Sequence, residues 1–238
     1  VANIDRAVGK LLDHLDALAA SSQTLVFFTS DNGPETLRRY PAGIHSHGSA
    51  GPLRGMKLHL YEGGIRVPGI LRYPARVKSG QTVVEPICNL DLLPTFCELA
   101  GAALPPIRPL DGTSFVPLLD GQALNRQVPL YWHYYRSIGE PKVALRVGDY
   151  KILGKWDGPQ LPPGASVSAG DSEIIKSAQL TTFELYNLRQ DIGETTDLTT
   201  REPEKLAQLS ALLKKKYAEV QQEGPIWKFA ESPSAKKK

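Results

Sequence analysis

The chain has 238 residues, 41% of them hydrophobic and 22% charged, with a formal net charge of +3, which is ordinary globular composition. So small and mixed a charge argues against a nucleic-acid partner, and no apolar run approaches the roughly 18 residues that a membrane span needs. Two cysteines exclude a disulfide-dense scaffold.

Val1, Ile4, Val8, Leu11, Leu12, Leu15 and Leu18 recur at steps of three and four, the signature of one face of an amphipathic helix. Nothing caps that helix, the first residue is a valine and the single methionine is Met56. The expectation is therefore a segment of a longer polypeptide. Thr24 to Thr29 (TLVFFT) reads as a strand buried on both faces of a parallel sheet. Ser30-Asp31-Asn32-Gly33-Pro34 ends it abruptly, at the kind of strand end where α/β sheets gather functional groups. Residues 34–64 are rich in glycine, histidine and basic side chains and read as a long loop, of the kind that is either functional or disordered.

Val67 to Tyr73 returns to strand character, and Val83 to Pro86 is a short extended piece. Leu90 to Ala100 reads as a helix with Pro94 near its start and Gly101 as its stop, followed by a proline-rich connector and an apolar segment at 115–119. From about Leu130 the texture changes to short, aromatic-rich strands near 130–135, 142–146, 150–153 and 183–188, with Gly148-Asp149 as a hairpin turn. Residues 157–179 read as a polar surface loop. Pro203 to Glu223 is a final helix with Leu206, Leu209, Leu212, Leu213, Tyr217 and Val220 on one face.

Asp31 and Asn32 place a carboxylate beside an amide carbonyl, two hard oxygen donors suited to Ca²⁺ or Mg²⁺, although Asn-Gly is also a strong turn signal. Lys57 is a point charge able to neutralise an oxyanion. Arg54 and Arg66 offer forked donors, for an anion or for a structural carboxylate. His45 and His47 form a His-x-His pair that reads as exposed loop, with a sugar contact from His47 as the alternative. Cys88 and Cys97 read as packing residues around the Pro94 helix.

Phe28-Thr29-Ser30-Asp31-Asn32-Gly33, Pro52-Leu53-Arg54-Gly55 with Lys57, and Tyr61-Glu62-Gly63-Gly64-Ile65-Arg66-Val67-Pro68 together resemble the later half of the type I sulfatases. That family lies in the alkaline-phosphatase-like superfamily. Leu90-Asp91-Leu92-Leu93-Pro94-Thr95, Asp111-Gly112-Thr113-Ser114 and Glu184-Leu185-Tyr186-Asn187-Leu188, with Glu194 and Asp197-Leu198, extend the resemblance to about residue 220. The family more often has Asp where Asn187 stands.

The resemblance implies an α/β fold: the C-terminal part of a doubly wound sheet domain over 1–128, and an antiparallel-sheet subdomain with a terminal helix over 129–238. It implies sulfate monoester hydrolysis, with a sulfated small molecule or glycan as substrate in the full-length enzyme. It also implies a periplasmic, extracellular or lysosomal setting. Asp31 and Asn32 match two ligands of a divalent cation, usually calcium, and Lys57 matches the lysine that contacts sulfate. Arg54 and His47 are the further substrate-binding candidates.

The family's nucleophile is a formylglycine made in a Cys/Ser-x-Pro-x-Arg motif, which no cysteine or serine of this chain fits. The expectation is half of a site, inactive alone, whose uncovered strand edge and apolar faces invite self-association. A phosphatase or phosphonate hydrolase of the same superfamily is the second reading. A non-catalytic interaction module is the third.

Overall fold

A computed structural model describes residues 1–35, 47–106, 108–161 and 169–226. The chain divides into two compact units: Val1–Asp31 with Val67–Pro129, and Asn32–Arg66 with Leu130–Lys238.

The first unit opens with α1 (Ala2–Ala17). The expected amphipathic helix is present, yet it has no buried residue, and Ile4, Leu11 and Leu18 are exposed. Strand β1 (Val26–Thr29) pairs antiparallel with β2 (Gly69–Arg72), Val26 opposite Arg72 and Thr29 opposite Gly69. This departs from the expected doubly buried parallel strand. Among the described residues β1 has β2 as its one neighbour. The cross-strand partners Phe28 and Ile70 are consequently 39% and 60% exposed. On the other face Phe27 meets Phe115, with ring centroids 6.1 Å apart. The piece at 83–86 forms no strand.

The second half of this unit is organised by one carboxylate. Asp91 closes a 3₁₀ turn (Asn89–Asp91) that leads into α3 (Leu92–Ala100), which stops at Gly101 in the left-handed conformation, as its sequence requires. Asp91 is fully buried. It accepts two hydrogen bonds from Arg126 at 2.9 and 2.6 Å, one from the Cys88 N–H at 2.8 Å and one from the Thr113 N–H at 2.7 Å. A buried charge is tolerable only when paired and hydrogen-bonded in this way. Thr95 extends the set, donating to the Asp91 carbonyl at 2.6 Å and accepting from the Phe115 N–H at 3.0 Å, just ahead of α4 (Val116–Leu119). Both cysteines are free and half-buried, and burial raises the pKa of the Cys88 thiol, an inert packing environment.

In the second unit, β3 (Leu130–His133), β4 (Pro141–Val147), β5 (Tyr150–Trp156) and β6 (Leu180–Asn187) form an antiparallel meander in that order. Val147 faces Tyr150 across a two-residue turn at Gly148-Asp149. Alternate residues point to opposite faces, and here both faces are apolar and both are covered. Val143, Leu145, Ile152 and Leu185 pack against Leu209, Leu213 and Tyr217 of α6 (Pro203–Glu223). Ala144, Leu153 and Tyr186 pack against Leu60 and Tyr61.

The polar stretch at 157–179 is not all loop, because α5 (Ala169–Ser177) lies within it. Ile174 and Ile175 pack on the α6 cluster, and Arg136 pairs with Asp171. Those two apolar residues outweigh the polar surroundings that suggested a loop.

Candidate functional site

The turn after β1 and the loop at 54–59 meet backbone to backbone. The Gly33 N–H donates to the Gly64 carbonyl at 2.9 Å, and the Gly63 N–H donates to the Arg54 carbonyl at 2.7 Å. A Cβ at Gly33 would stand 1.9 Å from the Gly63 oxygen, at Gly63 2.4 Å from the Gly55 oxygen, and at Gly64 2.1 Å from the His59 oxygen. No side chain fits at any of the three, which is the physical reason for glycine there. The Lys57 N–H donates to the Pro34 carbonyl at 3.0 Å. One compact junction therefore carries both the half-buried Asn32, next to Gly33, and Lys57.

Lys57 is half-buried, and its ammonium has no ion pair or side-chain hydrogen bond among the described residues. Leu58, which follows it, is held at φ 75°, and its carbonyl accepts from the Ile138 N–H at 2.8 Å. A branched residue in the left-handed region is costly and persists only where its surroundings enforce it. Asp31, exposed, precedes Asn32 at the end of the first unit's opening stretch.

Arg54 lies elsewhere in this network, among aromatic and acidic partners. Its guanidinium sits over the Tyr61 ring, 3.8 Å from the centroid. It donates to the Tyr186 hydroxyl at 2.8 Å and the Glu194 carbonyl at 3.1 Å. Tyr61 and Tyr186 both donate to Glu184, at 2.8 and 2.9 Å. Burial, and then the bond to this carboxylate, push both phenols well above their ordinary pKa. The guanidinium also lies 3.7 Å from Glu184, a structural carboxylate of the kind the sequence left open beside an anion.

The one-turn helix α2 (Glu62–Ile65) carries the two junction glycines, and it is held from behind by buried charge. Lys151 of β5 is fully buried and reaches Glu62 at 3.0 Å and Glu194 at 2.9 Å. Glu194 also accepts the Glu62 backbone N–H at 2.6 Å. Arg66 and Arg146 approach the second Glu62 oxygen at 3.5 and 3.8 Å. Burial raises the Glu194 pKa and the Lys151 charge opposes the rise. Sequence reading missed Lys151 and gave Glu62 and Glu194 no role. A signal was present: a lysine inside the strand Tyr150-Lys151-Ile152-Leu153 shares its face with Leu153 and needs an anion there.

His47 is exposed, and its neighbour His45 lies outside the described residues. The His59 ring stacks obliquely on Tyr61 at 6.4 Å, and its buried Nδ1 has no hydrogen-bond partner among the described residues. Among the described residues no group of three or more His, Cys, Asp or Glu is gathered to hold a metal. Asp31 and Asn32 offer oxygen donors of the hard class that calcium prefers, enough for part of a coordination shell.

The sulfatase family model matches residues 1–102, and the model of the N-sulphoglucosamine sulphohydrolase C-terminal region matches residues 56–158. Human steryl-sulfatase is 42% identical over 134 residues, covering 56% of this chain and 23% of its own length. Human arylsulfatase A is 37% identical over 199 residues, covering 82% of this chain and 37% of its own length. The chain thus spans well under half of the curated relatives it matches. Among solved structures, Ps i-CgsB in complex with k-i-k-neocarrahexaose superimposes with a TM-score of 0.67 at 27% identity, over 90% of this chain and 41% of that one.

Proposed function

We propose, for a chain that belongs to the sulfatase family and corresponds to the C-terminal portion of its relatives, that it contributes one half of a site hydrolysing sulfate monoesters, with carbohydrate sulfates as the substrate class. The observation that carries the reading is the glycine junction, which holds Asn32 and Lys57 on one rigid piece of backbone. The complex of Ps i-CgsB with k-i-k-neocarrahexaose supports the choice of carbohydrate.

Lys57 is assigned to the sulfate group. Its ammonium holds charge on the ester oxygens and stabilises, or protonates, the departing alkoxide. Its lack of a partner among the described residues leaves that charge available to an anion. Asp31 and Asn32 would hold a divalent cation, calcium by the family's habit, which when bound neutralises further negative charge on the sulfate. His47, on the exposed loop, is assigned to the sugar. Arg54 is assigned to supporting Tyr61 and Glu184 rather than to substrate. The formylglycine nucleophile is assigned to sequence outside this chain, and residues 1–128 and 129–238 to the two domains of the parent enzyme.

The test is the sulfatase polypeptide that carries this segment, with and without Lys57→Ala. The substitution is expected to lower kcat/KM for an aryl sulfate on the order of 10²- to 10³-fold, as loss of one charge-stabilising donor does. A sulfated amino sugar is expected to be turned over faster than a steryl sulfate. Undiminished activity in the variant would overturn the role of Lys57. A preference for phosphate monoesters over sulfates would overturn the reaction class.

A further inference from the structure

We infer that Lys151 and Glu194, distant in sequence from every residue assigned to substrate, are positioning residues for the Asn32–Lys57 junction. The inference rests on the functional reading given above for Lys57 and Asn32, and it adds what holds them in place.

The physical path is short. Lys151 is fully buried and lies between the Glu62 and Glu194 carboxylates, at 3.0 and 2.9 Å. Glu194 in turn accepts the backbone N–H of Glu62 at 2.6 Å. Glu62 is therefore held at its side chain by Lys151 and at its backbone by Glu194, which fixes the first residue of α2 in position and in rotation. The next two residues, Gly63 and Gly64, form the junction: Gly63 donates to the Arg54 carbonyl, and the Gly64 carbonyl receives the Gly33 N–H.

With glycines in contact at distances that admit no side chain, a small displacement of α2 is transmitted to its neighbours rather than absorbed. Lys57 is then tied to the same junction through Pro34. Glu194 itself is held at φ 51°, a left-handed conformation for a glutamate, and its carbonyl accepts from Arg54 at 3.1 Å. Both ends of the loop that carries Lys57 thus lead back to Glu194, one through Arg54 and one through Glu62.

Charge alone does not explain the arrangement, because an ion pair enclosed in protein gains little over a well-packed apolar pair. Direction is what a lysine between two carboxylates supplies, since each anion must stay on its own side of the ammonium. The sheet core on this face, Leu60, Tyr61, Ala144, Leu153 and Tyr186, would hold the segment against the sheet without fixing its register along it.

The experiment uses the sulfatase polypeptide that carries this segment, comparing the unsubstituted protein with Lys151→Met and with Glu194→Gln. Amide hydrogen exchange is read at Gly33 and Gly63, with Leu145 and Ile152 of the sheet as internal references. Both variants are expected to exchange at least about tenfold faster at the two glycines while the sheet amides stay protected. kcat for a sulfate ester is expected to fall roughly 10- to 100-fold, with KM changed far less, because misplacement of catalytic groups acts on the chemical step.

Glu194→Gln keeps an acceptor for the Glu62 N–H, so it should lose less than Glu194→Leu, a graded rescue that bulk destabilisation would not produce. If Lys151→Met does not fold, the Glu194→Gln and Glu194→Leu pair carries the same comparison. Unchanged exchange at Gly33 and Gly63, or acceleration shared equally by the sheet, overturns the inference. An unsubstituted protein that turns over no sulfate ester overturns the functional reading, while the exchange pattern judges the positioning role separately.

Discussion

In the second unit the four-stranded sheet is covered on both faces, by α6 on one side and by Leu60 and Tyr61 on the other. In the first unit the pair β1–β2 shows Phe28 and Ile70 to solvent, and α1 buries none of its residues. The inventory of buried hydrophobic residues makes the contrast concrete. Among the described residues, Phe115 and Val116, with Pro94 of α3, are the buried apolar side chains of the first unit, and the remainder belong to the second. Most of the large exposed apolar residues lie in the first, from Val1 to Leu104.

The lesson concerns where order comes from. The second unit has enough apolar area to fold around, and it adds a buried ion cluster for direction. Among the described residues the first unit is organised around the polar hub at Asp91, with Phe28 and Ile70 left exposed. The unit that owns its core is also the one that holds Lys57 and Asn32, so the geometry of their junction is set within the better-packed unit.

Three measurements would break or sharpen this contrast, in order of expected size. Asp91→Asn removes the charge that pairs with Arg126 inside the first unit. It should destabilise by about 3 kcal/mol, the lower range for breaking a buried pair, and limited proteolysis should cut near 83–126 before it cuts the sheet. Equal loss of protection in β4–β6 would mean that the two units unfold as one.

The second measurement addresses His133, whose ring is packed among Tyr131, Tyr135 and Tyr217 and whose pKa burial lowers to about 4. An unfolded histidine titrates near 6.5, so between about 4 and 6.5 the unfolded chain binds a proton that the folded one does not. Stability therefore rises with pH across that window and is lost on acidification, by up to about 3 kcal/mol. Urea midpoints measured from pH 4 to 7 should show this slope, and His133→Phe should flatten it. A slope unchanged by the substitution would place the acid sensitivity elsewhere.

The smallest effect is expected for Ile4→Gln, Leu11→Gln and Leu18→Gln combined. These residues are exposed, so each should shift stability by no more than about 0.5 kcal/mol. Self-association of the isolated chain, read by light scattering, should fall if these faces drive it. An unchanged molar mass would move the interface away from α1.

Much of the fold was legible in the residues. The 3.6-residue period marked α1 and α6, with α6 observed over Pro203–Glu223, and the aromatic-rich runs marked four strands around a Gly148-Asp149 turn. The pairing of β1 was not legible, because an apolar run such as TLVFFT is compatible with a parallel or an antiparallel neighbour, and the neighbour lies forty residues away. Helix α5 was hidden for a related reason: its polar composition is compensated by two isoleucines whose burial depends on α6.

For the site, the residues alone determined the donor types at Asp31, Asn32 and Lys57, since residue chemistry is a local property, whereas the need for glycine at 33, 63 and 64 follows from contacts made in the fold. Tertiary structure alone decided that Gly33 meets Gly64, that Arg54 is held by Tyr61, Tyr186 and Glu194, and that Lys151 stands behind Glu62. Apart from Arg54 and Tyr61, which are close in sequence, those relations join residues separated by 31 to 140 positions. They arise because a sheet with two apolar faces must be covered twice, and the second cover is the loop that carries the lysine.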